Sequence, residues 1–155
     1  MQEDENYPHT LTMSTLTNTE MSNFAGNIHG GQLLKLIDEV AYTCACRYCG
    51  HFCVTLSVDQ VFFKKPIRMG QLLTFLASVN YTGTTSMEIG VKVIAEDVTT
   101  RTKTHTNSCY VTMVATNEKG ETLKVPAYTP VTPIDKKRYA QAQKRRELRL
   151  EFNKD

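Results

Sequence analysis

At 155 residues, with 41% hydrophobic and 22% charged side chains, the chain has the size and make-up of one ordinary globular domain. No apolar run approaches the roughly 20 residues that a membrane-spanning helix needs. The acidic opening Gln2-Glu3-Asp4-Glu5 is unlike a secretory signal, so a cytoplasmic protein with no membrane span is expected. The net charge of +2 is unremarkable, but eight of the eighteen Lys and Arg residues crowd into the last 21 positions. With no aromatic stacking motif beside them, they read first as a solvated helix face, and no nucleic-acid partner is expected.

In chain order, residues 1–8 read as a flexible N-terminus, 9–133 as the folded domain and 134–155 as a basic C-terminal helix. A short strand is expected over 11–16. From Gly31 to Cys49 the apolar positions Leu33, Leu34, Ile37, Val40, Ala41, Cys44, Ala45 and Tyr48 recur at helical spacing, and Gly50 is placed to end the helix. The period then changes to two. Val54, Leu56 and Val58 alternate with polar residues in a strand that runs to Phe63 and stops at Lys64-Lys65-Pro66. Further strands are expected over 72–81, 86–96 and 104–116, divided by Thr82-Gly83-Thr84 and Asn117-Glu118-Lys119-Gly120. A short piece over 122–125 precedes a proline-containing stretch, and Asp135 is placed to cap the last helix. This order gives an α+β fold: one long central helix wrapped by a curled antiparallel sheet.

The chemistry concentrates in Asn27-Ile28-His29-Gly30-Gly31 and in Asp38. Two glycines at a helix start let backbone N–H groups approach a ligand with no Cβ in the way. The first turn leaves those N–H groups without intrahelical partners, ready for a carbonyl that becomes an anion. Gly30 and Gly31 are therefore candidate oxyanion donors, with the Asn27 amide beside them. Asp38 falls on or beside the apolar stripe, where a carboxylate needs a partner, and is the candidate general base or nucleophile. His29 is expected to shape the loop by bonding a main-chain group. Gly31 and Asp38 lie about 10 Å apart along the helix axis, too far for one reacting carbonyl group to touch both, so a site shared between two subunits is expected.

Cys44, Cys46, Cys49, His51 and Cys53 could supply soft ligands for a structural metal. Their spacing is irregular and Cys44 belongs to the helical stripe, so no metal is expected.

The segments Gly26-Asn27-Ile28-His29-Gly30-Gly31, Ile37-Asp38-Glu39-Val40-Ala41, Val54-Thr55-Leu56-Ser57-Val58-Asp59, Phe63-Lys64-Lys65-Pro66-Ile67 and Gly83-Thr84-Thr85-Ser86-Met87-Glu88, in this order, resemble the hotdog-fold acyl-CoA thioesterases. The likeness is to the branch that holds brain-type acyl-CoA hydrolases and their single-domain bacterial relatives. It implies hydrolysis of fatty acyl-CoA without a metal or cofactor, coenzyme A being part of substrate and product. It also implies homodimers assembled as trimers of dimers. For the phosphates of coenzyme A, the candidates are Thr84, Thr85 and Ser86, with the cations Lys64, Lys65 and Arg68 behind them. Thr84 stands where the family usually has a basic residue. A hotdog protein that binds acyl-CoA or a nucleotide without turnover is the alternative.

Overall fold

The computed structural model describes residues 8–154. All but the last residue of the expected flexible segment 1–8 lies outside them. Five strands form one antiparallel sheet: β1 (Thr10–Leu16), β2 (Phe52–Val58), β3 (Leu72–Thr82), β4 (Ser86–Asp97) and β5 (Thr102–Thr116), in the order β1-β3-β4-β5-β2. Two helices complete the fold, α1 (Gly30–Cys49) and α2 (Pro133–Phe152). This is the α+β hotdog arrangement.

α1 forms because its apolar positions fall on one broad face. Leu33, Ile37, Val40, Ala41, Cys44, Ala45 and Tyr48 are buried against the sheet, while Leu34 is 36% exposed at the border of the stripe. Gly50 ends the helix in the left-handed conformation at φ 73°, its N–H donating to the Cys46 carbonyl at 2.8 Å. Met87, Ile89, Val91 and Val93 of β4 share that core.

Side chains alternate across a strand, so Glu88 and Gly90 point to the opposite face, where α2 lies. Glu88 is 2% exposed. The Arg145 guanidinium from α2 holds it through three hydrogen bonds of 2.6 to 3.2 Å and sits 3.5 Å over the Tyr110 ring. Arg149 bonds Asp59 at 2.7 Å and approaches Glu88 at 3.6 Å. Asn80 lies across Gly90, where an added Cβ would stand 2.5 Å from its Nδ2 and would have to push that amide away from Glu88. The basic helix is thus not simply a solvated face. Lys136, Lys137, Lys144 and Arg146 are exposed, but Arg145 and Arg149 anchor it to the sheet.

Three sequence expectations change. β2 ends at Val58 rather than Phe63, because 59–63 leaves the sheet as a loop. Residues 122–125 contribute one bridge, Thr116 to Thr122, and no strand. Thr132, not Asp135, caps α2: its Oγ1 accepts from the Asp135 N–H at 3.1 Å, with Pro133 in the first turn. Asp135 is instead buried, 3.6 Å from His9 and 3.9 Å from Arg138.

Truncating Glu88 leaves Arg145 without its carboxylate beneath α2. Glu88→Ala is expected to cost about 3–5 kcal/mol of stability, read as a lower urea midpoint. The apolar pair Glu88→Leu with Arg145→Met is expected to recover most of that loss.

Candidate active site

The start of α1 is built by the loop before it. His29 is the N-cap, and its Nδ1 accepts the Gly31 N–H at 3.0 Å. The expected main-chain role of His29 is therefore present. It also means that the Gly31 N–H, expected to face a ligand, already has an acceptor. The Gly30 N–H has none among the described residues. The Phe63 ring lies 3.4 Å from where a Gly30 Cβ would stand, so the 59–63 loop packs directly on the helix start.

Asn23, which pattern reading passed over, organises this loop. Its Oδ1 accepts from the N–H groups of Ala25 at 2.9 Å and Asn27 at 3.1 Å, while its own N–H donates to the Asn27 carbonyl at 2.7 Å. With Oδ1 so occupied, its Nδ2 is left as a donor. Asn27 forms a bridge with Arg68, and the Ile28 N–H donates to the Ile67 carbonyl at 2.7 Å. Both asparagines are half-buried.

Asp38 is exposed in the single chain rather than enclosed by the apolar stripe. It has one close partner: the Thr55 hydroxyl of β2 donates to its Oδ1 at 2.5 Å. Thr55 belongs to one of the segments that carry the family resemblance, but the sequence reading gave it no role beside Asp38, since it stands there as a polar member of an alternating strand. A groove of about 560 Å³ runs along this side of α1, lined by Gly31, Leu34, Asp38, Val58, Val61 and Phe63 among others. The helix start and the carboxylate thus border one groove. Glu39, next in sequence, is exposed and lines no part of it.

The six candidate coenzyme A residues fall into two groups. Lys64, Lys65 and Arg68 belong to the exposed loop beside the start of α1, where Lys64 sits 5.9 Å over the Phe62 ring. Thr84, Thr85 and Ser86 lie towards the other end of α1. There Thr85 accepts from Ala115, the register partner of Cys53. Within one chain these groups do not meet. Arg146 of α2, however, reaches the 83–86 turn: its Nη2 lies 3.7 Å from the Cβ position of Gly83, and Nη1 donates to the Tyr81 hydroxyl at 3.4 Å. The Arg146 guanidinium has no carboxylate partner among the described residues. Nor, among them, do three or more His, Cys, Asp or Glu side chains gather to hold a metal ion.

A helix start, a carboxylate and a hydroxyl around an apolar groove define a candidate acyl-ester or thioester site on a hotdog frame. Residues 25–102 match the model of the thioesterase superfamily. Protein VdlD of Helicobacter pylori is 55% identical over 139 residues, 90% of this chain and 79% of that protein. The cytosolic acyl coenzyme A thioester hydrolase of Rattus norvegicus is 38% identical over 122 residues, 77% of this chain but 32% of that longer one. The chain belongs to the thioesterase superfamily. Among solved structures, an apo-hexameric acyl-CoA thioesterase superposes with a TM-score of 0.89 at 34% identity, covering 94% of this chain and 93% of that one. The acyl-CoA hydrolase of Staphylococcus aureus, solved with butyryl coenzyme A and coenzyme A, gives 0.83 at 33% identity, covering 90% and 85%. Alanine variants of that enzyme at an asparagine, an aspartate and a threonine have also been solved. Those three positions are spaced along its chain as Asn23, Asp38 and Thr55 are along this one.

His29→Ala removes the acceptor for the Gly31 N–H. Loss of the cap is expected to lower stability by about 1 kcal/mol in thermal unfolding, with His29→Asn restoring most of it.

Proposed function

We propose that this protein hydrolyses fatty acyl-CoA to the free acid and coenzyme A. The hydrogen bond from Thr55 to Asp38 at the edge of the groove carries this reading. Thr55 occupies one carboxylate oxygen and fixes the plane of the group, leaving the other to take a proton from water. The water oxygen attacks the thioester carbonyl, Asp38 receives its proton, and the tetrahedral intermediate expels the coenzyme A thiolate. Negative charge on the carbonyl oxygen is met by the free Gly30 N–H, a donor worth roughly 3–4 kcal/mol in such a role. Of the two loop amides, Asn23 is the stronger candidate to join it, because its Oδ1 is pinned and its Nδ2 is not; Asn27 is the alternative. Gly31 contributes through the cap that rigidifies the turn. No cofactor is required.

The site is shared between subunits of a homodimer. β2 is a sheet edge, and Val54, Leu56 and Val58 along it are 52%, 68% and 44% exposed. An edge carrying a row of apolar side chains favours pairing with a second copy. Such a partner would enclose Asp38 and bring it towards the other subunit's helix start. Three dimers then complete the hexamer. The hexameric thioesterase of closely similar fold supports an assembly of six subunits. Coenzyme A phosphates meet Thr84, Thr85 and Ser86, with Arg146 supplying the charge that Thr84 lacks, and Lys64, Lys65 and Arg68 remain available at the other end of α1. The protein acts in the cytoplasm and uses neither nucleic acid nor a membrane span.

Thiol release from short, medium and long acyl-CoAs tests the reaction. Asp38→Asn is expected to lower kcat by about 10²–10⁴-fold. Asn23→Ala should lower kcat more than Asn27→Ala. Acyl-CoA binding with no thiol released by the wild type would instead make this a non-catalytic acyl-CoA binder. For the phosphate subsite, Arg146→Ala is expected to raise KM about fivefold, the effect of about 1 kcal/mol, with kcat kept. An acyl-pantetheine substrate, lacking those phosphates, should show no such change.

A further inference from the structure

Cys49 is the last residue of α1 and Cys53 the second of β2, joined across the tight connection at Gly50 and His51. Their Sγ atoms stand 3.5 Å apart, and both thiols point at the His51 carbonyl at 3.7 Å. A disulfide needs about 2.0 Å between sulfurs, so closing this pair takes an approach of about 1.5 Å. Both thiols are nearly buried, at 6% and 5% exposure, but a cleft of about 530 Å³ opens beside them, lined by Tyr42, Cys46, Gly50, His51 and Phe52. Neither sulfur lines the cleft, but their chain neighbours Gly50 and Phe52 do, which puts the entry for a small oxidant one residue from each. The S–H of Cys53, bonded to Cys49, holds the Cys49 thiol below the usual range and favours its thiolate. Burial pushes Cys44 and Cys109 up to about 12, which leaves them inert.

We propose that Cys49 and Cys53 are a modification site, oxidised by hydroperoxide to an intrachain disulfide. The Cys49 thiolate attacks the O–O bond, forming a sulfenic acid and releasing hydroxide. The Cys53 thiol then gives up its proton, and its sulfur displaces the sulfenic oxygen as water. Two thiols are oxidised and one peroxide is reduced to two waters. The bond ties the end of α1 to the start of β2. Cys53 and Thr55 point to the same side of β2, so the tie draws on the strand segment that fixes Asp38. The effect on turnover rests on the proposed thioesterase reaction; the modification itself does not.

The test treats the full chain with hydrogen peroxide, alkylates the remaining thiols, and reads intact mass and a peptide map. The expected product is about 2 Da lighter before alkylation, takes up three alkyl groups where the reduced chain takes five, is linked between Cys49 and Cys53, and is restored by dithiothreitol. Cys46→Ser should keep the link, while Cys49→Ser and Cys53→Ser should lose it with their circular dichroism unchanged. Unlinked Cys49 and Cys53 after peroxide, a bond from either to Cys46, or a bond between chains would overturn the proposal. If the wild type releases thiol from acyl-CoA, the linked form should be roughly 10- to 100-fold slower. Full activity in the linked form would overturn the coupling to Thr55. A protein with no turnover would leave the mass result to decide the modification alone.

Discussion

A single curled sheet has two faces, and one long helix can cover only one of them. The rest of this structure follows from that constraint. α1 fills the concave side with a stripe of medium and small apolar residues. The other side of β4 would face water but for α2, and it carries a carboxylate where most buried surfaces carry a hydrocarbon. Glu88 at 2% exposure tolerates burial because Arg145 and Asn80 occupy its oxygens. The pairing sets the angle and position of α2, as an oily contact would do less specifically.

That network reaches the candidate site indirectly. Arg149 bonds Asp59 just past the end of β2, the Asp59 N–H donates to the Tyr110 carbonyl, and Asn107 donates to the Phe62 carbonyl. These contacts fix the loop that lays Phe63 on Gly30 and forms one wall of the groove. α2 and the start of α1 are thus connected through one short loop. With both helices in place the sheet still has two edges, β1 and β2, and the apolar row on β2 is where the proposed second subunit sits.

Most of the fold was legible because periodicity reports burial directly. The stripe from Leu33 to Tyr48 and the alternation in β3 and β4 correspond to the observed core, apart from Leu34 at the border of the stripe. Alternation gives a period but not a side, and β2 illustrates the difference. Its larger residues Val54, Leu56 and Val58 face outward in the single chain, while the small Cys53 is buried and Thr55 reaches Asp38, with a register shift between Thr55 and Ser57. Asp38 was singled out from its place on α1, but its exposure and its Thr55 partner were not legible, because both depend on how β2 lies against the helix. Asn23 belongs to a non-repeating loop and is visible only through its hydrogen bonds to Ala25 and Asn27. Arg146 joins the 83–86 turn from 60 residues or more along the chain, a proximity that no local pattern encodes.

The central claim is that each site takes Asp38 from one subunit and the helix-start donors from another. Mixing Asp38→Ala and Asn23→Ala proteins under conditions of subunit exchange, then measuring thiol release from acyl-CoA, tests it most directly. Each variant alone should be nearly inactive, and the exchanged mixture should regain activity, because a mixed dimer holds one site with both residues intact. A mixture that stays as inactive as its components after demonstrated exchange would contradict the account and place both groups in a site within one chain.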